Sequence, residues 1–160
     1  MRQPGYTLIE LLVVLAVLGV MASVALPMAE MTVQREKEHE LKRALWEIRD
    51  AIDAYRKVRE QATGAAGTEA AIGAAAYPPN LKALVQPVGN SRAGRQAAGV
   101  RFLRRVPRDP FADPSLPAEQ TWGLRSYDSE ADNPQPGDDV FDVYSRSAAL
   151  GLNGVPLRQW

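Results

Sequence analysis

A glutamate at position 10 stands at the start of a long uncharged segment, and this placement constrains the chain more than any other feature. Residues 11–28 contain no charged side chain, and their only polar side chain is that of Ser23. A run of this length approaches the ~20 apolar residues with which a helix crosses a bilayer. Because a carboxylate in hydrocarbon costs up to ~3 kcal/mol even on mild insertion scales, Glu10 is expected to have a partner or a role.

Composition excludes several classes of function. The 160 residues allow one compact domain besides the N-terminal segment, and 19 basic residues balance 19 acidic ones, so no net charge favours nucleic acid. The absence of cysteine excludes disulfides, a thiol nucleophile and a thiolate metal site. A single histidine, His39, leaves little scope for a histidine-based catalytic triad or zinc site. We find no catalytic constellation and no phosphate-binding loop, and we therefore predict that the chain is not an enzyme.

The N-terminal segment has three interpretations. The small residues at 23–25 would suit a cleaved secretory signal, but Glu10 would then interrupt its apolar core. A plain membrane anchor would require Glu10 to reach the interface by snorkelling. The third interpretation is a processing and assembly signal that uses the whole pattern. Arg2 favours a cytoplasmic N-terminus in each case.

The whole pattern runs from Gly5 through Glu10 into residues 11–19, and Pro27 follows. It resembles the N-terminus of type IV prepilins and of the pseudopilins of type II secretion. The resemblance implies cleavage after Gly5 by a prepilin peptidase, followed by N-methylation of Tyr6, a position where phenylalanine is usual. It also implies that the helix loosens at Pro27 within an assembled filament.

Electrostatics agrees with this interpretation of Glu10. Cleavage would free an α-amine on Tyr6 with a reference pKa of ~7.7–8, so that much of it is cationic, and methylation retains the charge. Glu10 could then pair with this amine in its own subunit or in the next one, which would fix the register of docking. Pro27 removes a backbone donor, and we predict a kink or local opening of the helix near residues 23–26.

An amphipathic helix is predicted after the apolar segment. Leu41, Leu45, Ile48, Ile52 and Tyr55 recur every three or four residues, as on one face of a helix. The opposite face should be solvated, and it carries Glu36, Lys37, Glu40, Lys42, Arg43, Glu47, Arg49, Asp50 and Arg56. We therefore predict four parts: a leader peptide (1–5), a membrane and filament-core helix (6–29), an amphipathic stalk helix (30–63) and a globular head (64–160).

The head has the signals of a short helix and a small sheet. Residues 77–79 should be extended, Asn80 should cap a helix over 81–85, and Pro87 should stop it. Strands are predicted over 122–127 and 140–145, which with a third short strand would form an antiparallel sheet packed on the stalk helix. The predicted fold is α+β and type IV pilin-like. Near its end we expect a tight turn at 153–154 and Trp160 folded back as an apolar contact.

Motifs in the head indicate which members of this family the chain resembles most. Residues 77–85, 102–111, 122–127 and 141–145, in this order, are similar to the major pseudopilin (protein G type) of type II secretion. The resemblance implies a subunit that polymerises through its N-terminal helix into a periplasmic pseudopilus. It also implies single-pass insertion in the bacterial inner membrane with a periplasmic head. The implied partners are further copies of the chain, minor pseudopilins, the prepilin peptidase, and an inner-membrane assembly platform with its ATPase.

A pilin of a type IV pilus or of a DNA-uptake filament is the alternative. Residues 92–108 contain several arginines and no acidic residue: Arg92, Arg95, Arg101, Arg104, Arg105 and Arg108. Such a segment could contact DNA, but it lacks the interleaved aromatic residues of a stacking platform. We favour a solvated loop and edge segment, in which Val100, Phe102 and Leu103 supply burial, and we expect no nucleic-acid partner.

Calcium is the one cofactor that the resemblance suggests, because many major pseudopilins bind it in an acidic loop near the C-terminus. Residues 146–160 contain no aspartate or glutamate, whereas calcium prefers several hard oxygen ligands. This composition argues against a calcium site of that kind. Acidic residues cluster earlier, at Asp128, Glu130, Asp132, Asp138, Asp139 and Asp142. They suit a polar loop between strands, and Asp138 and Asp139 are the candidates for a displaced cation site.

Overall fold

The structure is a computed structural model that describes residues 7–64, 76–88 and 99–160, without the side chains of 24–29 and 62–64. The long helix α1 (Leu8–Gly64) and the short helix α2 (Lys82–Val85) precede two strands, β1 (Trp122–Arg125) and β2 (Asp142–Ser145). Single 3₁₀ turns lie at Ala118–Gln120 and Leu157–Gln159. Two compact units divide between Lys37 and Glu38.

The first unit contains the beginning of α1. The Thr7 hydroxyl accepts the backbone N–H of Glu10 at 3.4 Å and so caps the helix. The large apolar side chains between Leu8 and Met21 are exposed. Within the described residues, no helix combines the length and apolar character needed to cross a membrane. Pro27 lies inside α1, and the opening expected near it stays a prediction.

The second unit is built on the predicted apolar face of α1. Leu41, Leu45, Ile48, Ile52 and Tyr55 are all buried, which confirms the amphipathic pattern. They form one core with α2, both strands and the last 3₁₀ turn, through Leu81, Leu84, Trp122, Val143 and Leu157 among others. The α+β, pilin-like architecture predicted from the sequence is therefore confirmed.

Helix α2 begins one residue later than predicted, at Lys82. The side chain of Asn80 accepts the N–H of Ala83 at 3.1 Å, so it does cap the first turn. The helix ends at Val85, before Pro87, as expected. Its Leu84 carbonyl then accepts N–H groups from Phe102 and Leu103, which holds the following segment against the core.

The sheet has two strands within the described residues, where the sequence predicted a third short strand as well. Strands β1 and β2 are antiparallel, with Trp122 opposite Ser145 and Arg125 opposite Asp142. Single antiparallel bridges, Val88–Val100 and Leu150–Pro156, occur outside the strands. Both strands are shorter than predicted. β1 ends before Ser126 because the N–H of Ser126 donates to Gln135 within the connecting loop.

Candidate functional site

The predicted processing residues Gly5 and Tyr6 lie outside the described residues, as does the side chain of Pro27, and their roles stay predictions. Glu10 lies exposed in the first turn of α1, where a carboxylate interacts favourably with the helix dipole. Thr7 and Glu10 have the spacing of a capping box, a local signal that sequence reasoning missed. The bond that caps the helix is the one from the Glu10 N–H to the Thr7 hydroxyl, and the pairing of the Glu10 carboxylate stays a prediction.

Arg49 corrects the prediction that the charged face of α1 is simply solvated. Its Nε donates to Asp142 Oδ1 at 2.8 Å, and its Nη2 donates to the backbone oxygens of Val143 and Trp160 at 3.1 and 2.8 Å. Asp142, grouped from the sequence with the acidic loop, also pairs with Arg125 at 3.4 Å. One arginine of α1 thus joins β2 and the last residues of the chain.

A second contact joins α1 to the aromatic residues that flank the two strands. Arg56 donates to the Tyr77 hydroxyl at 2.8 Å and pairs with Glu60 at 2.6 Å. The Tyr77 ring packs against Phe141 and Tyr127, with ring centres 5.0 and 5.6 Å away. Burial raises the pKa of Tyr77, so its hydroxyl stays protonated at neutral pH. Arg49 and Arg56, separated by about two helical turns, position the head on α1.

Asp139 forms a hydrogen bond within the loop that connects the two strands. Its Oδ2 accepts the N–H of Tyr127 at 3.1 Å, and it is 6% exposed, whereas Asp138 is exposed. Burial raises the pKa of Asp139 above its ordinary value. No group of three or more acidic, histidine or cysteine side chains suited to a metal occurs in the described part of the chain. The contact made by Asp139 explains its burial without a cation.

Replacing Asp139 by asparagine should raise the Tm of the protein at neutral pH. The folded-state pKa lies above the unfolded value, so stability falls as the pH rises from the unfolded value of 3.8 through the folded one. Asparagine keeps an oxygen for the Tyr127 N–H and removes the buried charge, so its advantage should disappear below that window. Thermal unfolding against pH measures this, with Asp138→Asn as an exposed control; a lower Tm for Asp139→Asn at neutral pH would contradict it.

The segment 146–160 does not fit calcium. Besides lacking acidic side chains, the segment has several backbone oxygens that already accept hydrogen bonds: Ala149 O from Leu157, Gly151 O from Gly154, and Val155 O from Gly151. The side-chain oxygen of Asn153 accepts the N–H of Val155 at 3.1 Å. The predicted turn is present, with Gly154 at a positive φ of 77°. Trp160 packs against the core beneath the Lys42 ammonium, as the predicted fold-back requires.

The basic segment is only partly described, because Arg92 and Arg95 lie outside the described residues. Arg101, Arg104 and Arg105 are exposed, and Arg108 donates to the carbonyl of Asp113. The flanking Phe102, Leu103 and Val106 belong to the core or pack against it. Over residues 99–108 the segment is therefore anchored on the core by its apolar side chains, and Arg101, Arg104 and Arg105 point outward.

Asp109 is a buried polar residue that sequence reasoning missed. It is 1% exposed, accepts the Ser145 hydroxyl at 2.6 Å and accepts the N–H of Phe111 at 2.8 Å. Its own N–H donates to the Thr121 hydroxyl at 3.2 Å. These bonds fasten the turn at 109–111 to β2. The aspartate before Pro110 was a possible signal, since aspartate commonly accepts from the backbone two residues on.

Comparison with known proteins places these features in context. Residues 1–26 match the family model described as the prokaryotic N-terminal methylation motif. The chain is 23% identical over 116 residues to the type II secretion system core protein G of Aeromonas hydrophila, with 71% of each chain covered. No solved structure matches significantly. The chain thus carries a methylation motif at its N-terminus and is similar to a type II secretion core protein along most of its length.

Proposed function

We propose that the chain is a structural subunit of the pseudopilus of a type II secretion system. After cleavage behind Gly5, copies associate through their N-terminal helices into a periplasmic filament. The filament works with the secretion apparatus to move folded proteins out of the cell. The mature chain begins at Tyr6, and Glu10 pairs with the amine of its own or a neighbouring subunit.

The observation that carries this proposal is the combination of the methylation motif with an apolar, exposed helix. From Leu8 to Met21, α1 presents large apolar side chains around its whole circumference. In water this surface would be strongly unfavourable, at roughly 25 cal/mol per Å². Lipid before assembly and the helices of other copies after assembly are environments that would cover it.

The proposed partners follow from the same role. Further copies of the chain and minor pseudopilins form the filament, and the prepilin peptidase removes residues 1–5. An assembly platform in the inner membrane, driven by its own ATPase, would supply the energy for polymerisation. The head would remain periplasmic and the N-terminus cytoplasmic until extraction, in keeping with the charge of Arg2.

Deleting the gene should abolish the export of secreted enzymes, which should then accumulate in the periplasm. Quantitative proteomics of culture fluid and periplasm measures this, and a plasmid copy of the wild-type gene should restore export. DNA uptake and surface pili should be unaffected. Normal export with loss of DNA uptake or of pili would instead support the type IV pilus alternative, for which the exposed Arg101, Arg104 and Arg105 are the favourable feature.

A further inference from the structure

We infer that side chains of α1 fasten the C-terminal segment, residues 146–160, so that the head folds without calcium. The contacts come from two positions on α1. Arg49 donates to the backbone oxygens of Val143 and Trp160, and the carboxylate of Glu38 accepts the N–H of Leu152 at 2.7 Å. This inference concerns the folding of the head and does not rest on the proposed function.

Arg49 is placed so that its positive charge can bind backbone oxygens near the C-terminus, as a bound calcium ion would. Its guanidinium reaches one oxygen on β2 and one at Trp160, and it is held in place by Asp142 at 2.8 Å. Hydrogen bonds from a charged donor are stronger than those between neutral groups. Two separate parts of the chain are thereby held by one positive charge that belongs to the protein.

Charge around the segment disfavours a divalent ion as well. Lys42 Nζ lies 4.5 Å above the Trp160 ring, and the segment itself contributes Arg146 and Arg158 but no acidic side chain. A calcium ion at the oxygens that Arg49 contacts would be repelled by this guanidinium. Displacing Arg49 would leave Asp142 with its 3.4 Å contact to Arg125 as its remaining ion pair. Protein groups therefore already occupy the backbone oxygens of Val143 and Trp160 at which a calcium ion would have to bind.

The inference is tested by thermal unfolding of the full-length protein in detergent, measured once in excess calcium chloride and once in EGTA. The Tm should be the same in both media, and hydrogen exchange at the Leu152 and Leu157 amides should be equally slow. Arg49→Gln should lower the Tm by several degrees and speed exchange at both amides, to the same extent in either medium. Arg43→Gln, which removes an exposed arginine of the same helix, is the matched control and should change neither quantity.

Three results would overturn the inference. The first is a higher Tm or slower Leu152 exchange of the wild type in calcium. The second is a loss in Arg49→Gln that calcium restores, and the third is equal behaviour of Arg49→Gln and Arg43→Gln. Should Arg49→Gln fail to fold, Arg49→Lys replaces it: a single ammonium cannot reach all three acceptors, so exchange should still be faster than in the wild type.

Discussion

Ile48→Ala is expected to lower the free energy of unfolding of the head by about 3–4 kcal/mol. Ile48 is fully buried on the apolar face of α1 and belongs to the core shared with α2, the strands and Leu157. Truncation removes apolar contacts and leaves a cavity that the two-stranded sheet is poorly able to close. Denaturant unfolding of the detergent-solubilised protein, followed by tryptophan fluorescence of the buried Trp122, measures the loss.

Trp46→Ala provides the contrast, because Trp46 lies on the same helix but is 76% exposed. It removes more side-chain atoms than Ile48→Ala and should nevertheless cost less than about 1 kcal/mol. Ile48→Val should fall between the two, at about 1 kcal/mol. If Trp46→Ala proved as destabilising as Ile48→Ala, the assignment of the core face of α1 would be wrong.

The helical core was predictable because its signal is local. A spacing of three and four residues from Leu41 to Tyr55 determines which face of the helix is apolar and therefore which face the head covers. The positions of α2 and of both strands also followed from capping, proline and alternation signals. The exact ends of these elements could not be predicted. For example, β1 stops where the N–H of Ser126 donates to Gln135 within the connecting loop.

Contacts between distant residues were beyond sequence reasoning. Arg49 and Asp142 are far apart in the chain, and each has a plausible local explanation, as a solvated arginine and as part of an acidic loop. Only the packing of β2 against α1 brings them together. Asp109 was missed for the same reason, since its partner Ser145 lies on β2. The N-terminal motif differs because its information is contained in consecutive residues.

Glu10→Ala is expected to yield a protein that is inserted and processed but absent from filaments. Under the proposed pairing, removal of the carboxylate would leave the amine of the mature N-terminus without its partner in an apolar helix bundle, and the register of docking would be lost. Glu10→Gln, which keeps the size and removes the charge, should fail equally. Filaments sheared from overproducing cells and probed by immunoblotting should contain at least tenfold less of either variant than of the wild type, on the order of 1.4 kcal/mol.

Thr7→Ala tests helix capping separately from the Glu10 carboxylate. It removes the hydroxyl that caps the first turn but leaves the carboxylate, so it should assemble nearly as well as the wild type. If Thr7→Ala failed to assemble into filaments while Glu10→Ala assembled normally, helix capping would be the only role of this segment in assembly. Normal filaments from both Glu10 variants would remove the pairing role.

Mass spectrometry of the N-terminus of subunits within purified filaments is the decisive measurement. We expect filaments in which every subunit begins at Tyr6 with one added methyl group and in which residues 1–5 are missing. Filaments built from uncleaved chains, or cleaved protein that never enters a filament even when overproduced, would contradict the proposal that this chain is a processed subunit polymerising through its N-terminal helix.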